Sequence, residues 1–218
     1  MTRYGKDFNT VTRARNPTFY APLHWKNPRA IFTCSWGDFF HKDADPWREE
    51  AWEIMKSTPQ HTYMILTKRP GRMLWWGRTH EWSSHVWAGT SVESKKYLPR
   101  LELLRWMSAD LGPTLTTFVS CEPLLEPLDI SEYLSCDYHG EGRCWETLDW
   151  VIAGGESGPN TRSMELDWAR AIRDDCVKVG VPFFLKQLGG WPDKRGGDKA
   201  MLDGRLWRGM PGGESRCG

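Results

Sequence analysis

Six short runs of apolar and β-branched residues recur along the chain, and each closes on polar or charged positions. Residues 30–35 lead into Trp36-Gly37-Asp38, 62–67 into Lys68-Arg69-Pro70, and 86–90 into Ser91-Val92-Glu93. Residues 115–119 lead into Ser120-Cys121-Glu122, 149–153 into Gly154-Gly155-Glu156-Ser157, and 181–185 into Lys186-Gln187. Runs that are apolar on both faces read as strands of a buried parallel sheet. Between several of them the period turns helical. Asp45 reads as an N-cap before Pro46, with Trp47, Ala51, Ile54 and Met55 behind it. Tyr97, Leu101 and Leu104 mark a second helix with Pro99 in its first turn. Asp167 reads as the cap of a third, whose stripe is Trp168, Ile172, Cys176 and Val179 and whose end is Gly180.

Strand, helix, strand in repetition is the βαβ unit with right-handed crossovers. The fold expected is α/β, an incomplete parallel (β/α) barrel of about six strands, TIM-barrel-like, with a doubly wound sheet as the alternative. The barrel is preferred because nearly every strand carries polar residues at its C-terminal end, where barrels place their chemistry. A doubly wound sheet would gather them at one switch point. The chain reads as one domain over residues 1–218. Residues 126–148 break the rhythm as an insertion expected over the strand ends, and residues 192–218 form a Gly-rich tail with a short hairpin expected over 202–207.

Composition narrows the class. Lys and Arg number 29 against 28 Asp and Glu in 218 residues, a net charge of +1, which argues against a polybasic tail binder. Hydrophobic residues at 39% and charged residues at 26% are globular proportions. No run approaches the ~20 apolar residues of a membrane helix, and Met1 to Asn9 lacks a signal-peptide core. The six scattered cysteines form no C-x-x-C pair and read as free thiols, so a cytoplasmic location is expected. Tryptophan is the anomaly: 14 indoles call for either a large aromatic core or a surface meant to be covered.

If the strands are parallel neighbours, Asp38, Lys68, Arg69, Ser91, Glu93, Ser120, Glu122, Glu156, Ser157, Lys186 and Gln187 converge on one rim. The alternative is a set of solvated strand ends joined by salt bridges. In Gly154-Gly155-Glu156-Ser157-Gly158 the paired glycines would let a ligand approach the backbone, and Glu156 would accept from an amino or hydroxyl group; a ligand-free tight turn is the alternative. No Gly-Lys-Ser/Thr follows, so this is not a P-loop. Lys68, Arg69, Arg72 and Arg78 interleaved with Trp75, Trp76 and Trp82 suit a single-stranded nucleic-acid groove, or else a solvated loop with packed indoles. Cys136, His139 and Cys144 offer three ligands where a structural zinc takes four, so zinc is not expected. No nucleophile–base arrangement stands out.

Several longer motifs stand in one order: Trp25 to Arg29, Phe32 to His41 (FTCSWGDFFH), His61 to Met73 (HTYMILTKRPGRM), Val86 to Glu93 (VWAGTSVE), Val119 to Leu125 (VSCEPLL), Asp149 to Pro159 (DWVIAGGESGP) and Pro182 to Trp191 (PFFLKQLGGW). Across about residues 3–211 the chain resembles the phage Gp37/Gp68 family (DUF5131), and through it the radical S-adenosylmethionine enzymes. The resemblance implies a phage or prophage protein in a bacterial host, and a radical-SAM-like barrel whose rim binds S-adenosylmethionine. Its substrate is expected to be a nucleic acid or nucleotide. By position it assigns Ser35 and Asp38 to the methionine amino group, Ser91 and Glu93 to the ribose or carboxylate, and Gly154, Gly155, Glu156 and Ser157 to the adenosine. Lys68, Arg69, Ser120, Glu122, Lys186 and Gln187 would meet substrate or carboxylate charge. The family's opening strand and C-x-x-x-x-C-x-x-C loop would lie upstream of Met1, with Met1 to Phe8 in the helix that follows them. A 4Fe–4S cluster is therefore expected of full-length relatives and not of this chain, which reads as a truncated or degenerate enzyme. Two other classes compete: a cluster-free single-stranded nucleic-acid binder, and a module whose exposed indoles bind a phage or host protein.

Overall fold

A computed structural model describes residues 11–135 and 147–212. The expected helix over Met1 to Phe8 and the zinc candidates Cys136, His139 and Cys144 lie outside the described residues.

Six parallel strands form one curled sheet: β1 (Ala30–Thr33), β2 (Thr62–Thr67), β3 (Val86–Ser91), β4 (Thr117–Cys121), β5 (Trp150–Gly154) and β6 (Phe183–Gln187). Their spatial order is their chain order, each pairing with the next. A doubly wound sheet reverses direction at a switch point; this one never does, so it is an incomplete α/β barrel. A short helix α1 (Asn16–Phe19) precedes β1. Helices α2 (Asp45–Ser57), α3 (Pro70–Thr79), α4 (Pro99–Leu111) and α5 (Leu166–Val179) fill crossovers of the sheet.

Three helical details depart from expectation. Asp45 and Asp167 do not cap: α2 starts on Asp45 and α5 starts on Leu166, with no side-chain cap on either. Their carboxylates instead take Arg72 at 2.6 Å and Arg170 at 2.6 Å from the first helical turn, where negative charge meets the positive helix end. Val179 is exposed at the end of its stripe. The segment over 70–79, read from the sequence as a loop, is a helix with Pro70 in its first turn. Gly180 ends α5 as expected, in the left-handed region at φ 74°, with Val181 N donating to the Cys176 carbonyl at 2.9 Å.

Strand alternation divides the core. Tyr63, Ile65, Val86, Ala88, Val119, Val151, Phe183 and Leu185 face the helices and pack with Trp52, Met73, Trp76, Leu104 and Ile172. Leu128, Ile130, Tyr133, Leu134 and Leu148, the described apolar residues of the segment over 126–148, join this same core. The concave face holds Met64, Phe118, Trp150 and Ile152, flanked by Leu66, Trp87 and Phe184. Phe118 lies beside Gly89 on the neighbouring strand, and a Cβ at Gly89 would stand 2.3 Å from its ring. The expected hairpin is present as β7 (Met201–Leu202) and β8 (Arg205–Leu206). The chain after it runs antiparallel along β6: Leu185 N donates to Trp207 O and Gly209 N to Phe183 O, both at 2.9 Å. That covers an otherwise bare sheet edge.

Gly89→Ala is expected to cost about 1–3 kcal/mol in urea unfolding, because Phe118 must leave its rotamer. Combined with Phe118→Leu the cost should fall well short of the sum. Strict additivity would show that the two residues do not compete for the same space.

Candidate functional site

The period of two that fills the concave face with aromatics also decides what emerges at its rim. Continuing each strand, Lys68, Ser91, Glu93, Ser120, Glu122 and Lys186 fall on the concave side at the C-terminal ends. Ser91 and Ser120 are direct register partners, both buried. On one flank Lys68 pairs with Glu93, which also receives Arg100 from the start of α4 at 3.2 Å. Arg100 further donates to the Ser91 carbonyl at 2.7 Å. On the other flank Lys186 Nζ lies 2.8 Å from Glu122 Oε2. In both pairs the acid sits inside and the base outside: side-chain exposure is 6% for Glu93 against 56% for Lys68, and 16% for Glu122 against 51% for Lys186.

Three expected contributors are engaged by the chain itself. Asp38 accepts from Phe40 N at 2.9 Å, Thr67 Oγ1 at 2.7 Å, Lys68 N at 3.1 Å and Arg69 at 2.6 Å, tying the exit of β1 to that of β2. A carboxylate has about four acceptor positions, and the protein fills them. Arg69 is accordingly spent on Asp38. Ser35 lies exposed in the turn closed by Gly37 N to Cys34 O. Glu156 is held by Arg162 through Nε at 2.9 Å, a second guanidinium nitrogen at 2.6 Å and the backbone N–H at 2.8 Å. These bonds hold its carboxyl well below the usual range, at about 2.

The paired glycines also have a reason within the chain. A Cβ at Gly155 would meet the Leu188 carbonyl oxygen at 2.3 Å, so the backbone that approaches is the exit of β6 and not a ligand's. Gln187 Nε2 donates to the Gly155 carbonyl at 2.8 Å and stitches the two exits together. Beside this seam opens a cleft of about 280 Å³ lined by Glu122, Pro123, Gly155, Glu156, Ser157, Lys186 and Gln187. Six of the seven come from the positions singled out in the sequence. Arg100 and Arg162 were missed; their signal was a cation seven residues after Glu93 and six after Glu156.

The segment from Lys68 to Trp82 is less open than its composition suggests. Arg72 pairs with Asp45, and Arg78 with Asp110 at 2.7 Å. Trp76 is buried, with its centroid 5.8 Å from Trp52 and its ring stacked on His80 at 3.6 Å. Trp82 lies 4.7 Å from Trp52. Trp75 is exposed.

Among the described residues no group of three or more His, Cys, Asp or Glu is arranged to hold a metal, and no helix is long and apolar enough to cross a membrane. Cys121 and Cys176 are fully buried in the core on the helical side of the sheet, and Cys34 stands exposed after β1. Those three do not form the close thiolate set of an iron–sulfur cluster.

The family described as a protein of unknown function (DUF5131) matches residues 1–211. The chain belongs to that family. No curated protein and no solved structure matches it.

Arg162→Ala should return Glu156 toward its ordinary 4.5 from about 2. A depressed carboxyl contributes stability above its unfolded value and loses it as pH falls through the folded one, so the variant should lose less stability between those two pH values. Arg162 is mostly exposed, which keeps the effect small. The measurement is an NMR titration of the Glu156 carboxyl; a value unmoved in the variant, which keeps the backbone N–H of residue 162, would exclude the Arg162 guanidinium as the cause.

Proposed function

We propose that this member of the family binds a small zwitterionic, nucleoside-type ligand at the C-terminal rim, with S-adenosylmethionine as the representative that the radical-SAM resemblance implies. The observation that carries the reading is the Glu122–Lys186 pair beside an open cleft of about 280 Å³. Glu122 would accept from an ammonium group and Lys186 would donate to a carboxylate. The hydroxyl of Ser157 and the backbone around Gly155 line the remainder. A zwitterion inserted between the paired side chains exchanges one set of charge-assisted hydrogen bonds for another, so neither charge is stranded. Bound S-adenosylmethionine would supply an activated sulfonium centre. The described cysteines do not fit a cluster, so the reading is one of binding at the rim and no cluster-dependent step is drawn from it. A phage or prophage origin is what the Gp37/Gp68 resemblance adds.

Isothermal titration with S-adenosylmethionine and S-adenosylhomocysteine should give one site. Lys186→Ala should weaken it about tenfold, the loss of one charge-assisted contact. Absence of heat at millimolar ligand would defeat the reading. A second reading, a single-stranded nucleic-acid surface on α3, has the exposed Trp75 between Arg72 and Arg78 in its favour. It requires an affinity for oligonucleotides that falls steeply with salt and is lost in Trp75→Ala.

A further inference from the structure

We infer that Trp191 is a stacking platform for a planar heteroaromatic ring of the ligand held in this cleft, and therefore sets its preference for a nucleoside over a simple amino acid. The inference rests on the reading of the rim as a small-molecule site.

Trp191 follows the backbone seam that builds the cleft wall. Gly190 is the bridge partner of Ser157, and its N–H donates to the Glu156 carbonyl at 2.9 Å. The contact is close enough to exclude side chains: a Cβ at Gly189, where φ is 86°, would meet the Glu156 carbonyl oxygen at 2.7 Å. Trp191 is thus one residue from a position locked against the cleft. Its loop is closed on itself as well. Leu188 N donates to Arg195 O at 3.2 Å, Gly189 N to Lys194 O at 2.9 Å, and Arg195 Nε to Gly189 O at 2.9 Å. From this pinned loop the indole emerges 64% exposed.

A large indole left in water forgoes the burial that Trp52, Trp76 and Trp150 obtain. Holding it on a backbone whose conformational freedom has already been removed lowers the entropic cost of using it in binding. Stacking on an aromatic ring is tolerant of ring identity, because every base presents a π-face. The charged pair Glu122–Lys186 would meet the zwitterionic end, and Trp191 the ring. Glu122 follows β4 and Lys186 lies in β6, while Trp191 follows β6 one residue beyond the Gly190 bridge to Ser157.

The test uses the whole chain and three probes: S-adenosylmethionine, adenosine and L-methionine. Trp191→Ala should weaken S-adenosylmethionine and adenosine about tenfold, within the range for one stacked ring, and leave L-methionine unchanged. Trp191→Phe should recover most of the loss. Equal affinity of Trp191→Ala and the unaltered protein for both nucleosides would overturn the platform while leaving the site intact. Failure of the unaltered protein to bind any probe would overturn both the site and the platform.

Discussion

The inner face of a six-stranded arc is the problem this chain has to solve. A closed barrel fills its interior from all sides, but an arc must cover its concave face with its own side chains. Here the answer is aromatic bulk on alternating residues: Phe118, Trp150, Trp87 and Phe184, with Met64, Leu66 and Ile152 between them. Trp150 is the centre, within 6.1 Å of the rings of Trp87, Phe118 and Phe184. The arrangement closes only because Gly89 leaves room for Phe118 on the next strand. The last stretch of described chain depends on it in turn: Trp150 Nε1 donates to the Gly209 carbonyl at 2.7 Å, which fixes the tail along β6.

Because the interior is filled low in the arc, the rim is where polar side chains can gather. The same alternation that sends Phe118 inward sends Ser120 and Glu122 inward two and four residues later. The tight stitching of the β5 and β6 exits through Gly155, Gln187 and Gly190 gives that rim a rigid wall. Fold and site are two ends of one periodic pattern.

That pattern is what made the fold and much of the rim legible in the sequence. Apolar runs closing on polar or charged positions marked the strands, whereas the order in which they pair, each with the next, is a property of the folded sheet that periodicity does not carry. What the sequence concealed was partner choice. Asp38 looked free to meet a ligand, yet it is claimed by Thr67 and Arg69 some thirty residues away. Gly155 was recognised as special, but the atom that demands a glycine is the Leu188 carbonyl, contributed by the next strand's exit. Trp75 and Trp76 are neighbours in the chain and opposites in space. One turn of α3 puts Met73, Trp76 and Gly77 inward and Trp75 outward, a distinction lost when the segment is read as a loop.

The order of charges at the rim finally bears on what the bowl can hold. Glu93 and Glu122 are the buried members of their pairs, and Lys68 and Lys186 reach outward. A partly buried carboxylate stripped of its cation would be costly; Glu93 keeps Arg100 when Lys68 leaves, but a ligand that takes Lys186 from Glu122 must bring positive charge of its own. A ligand that is only anionic would draw Lys186 away and strand Glu122. One that is only cationic would crowd the lysine that already neutralises it. A molecule carrying both signs adds no net charge to the balanced Glu122–Lys186 pair, and that constraint holds whichever ring or chain completes it.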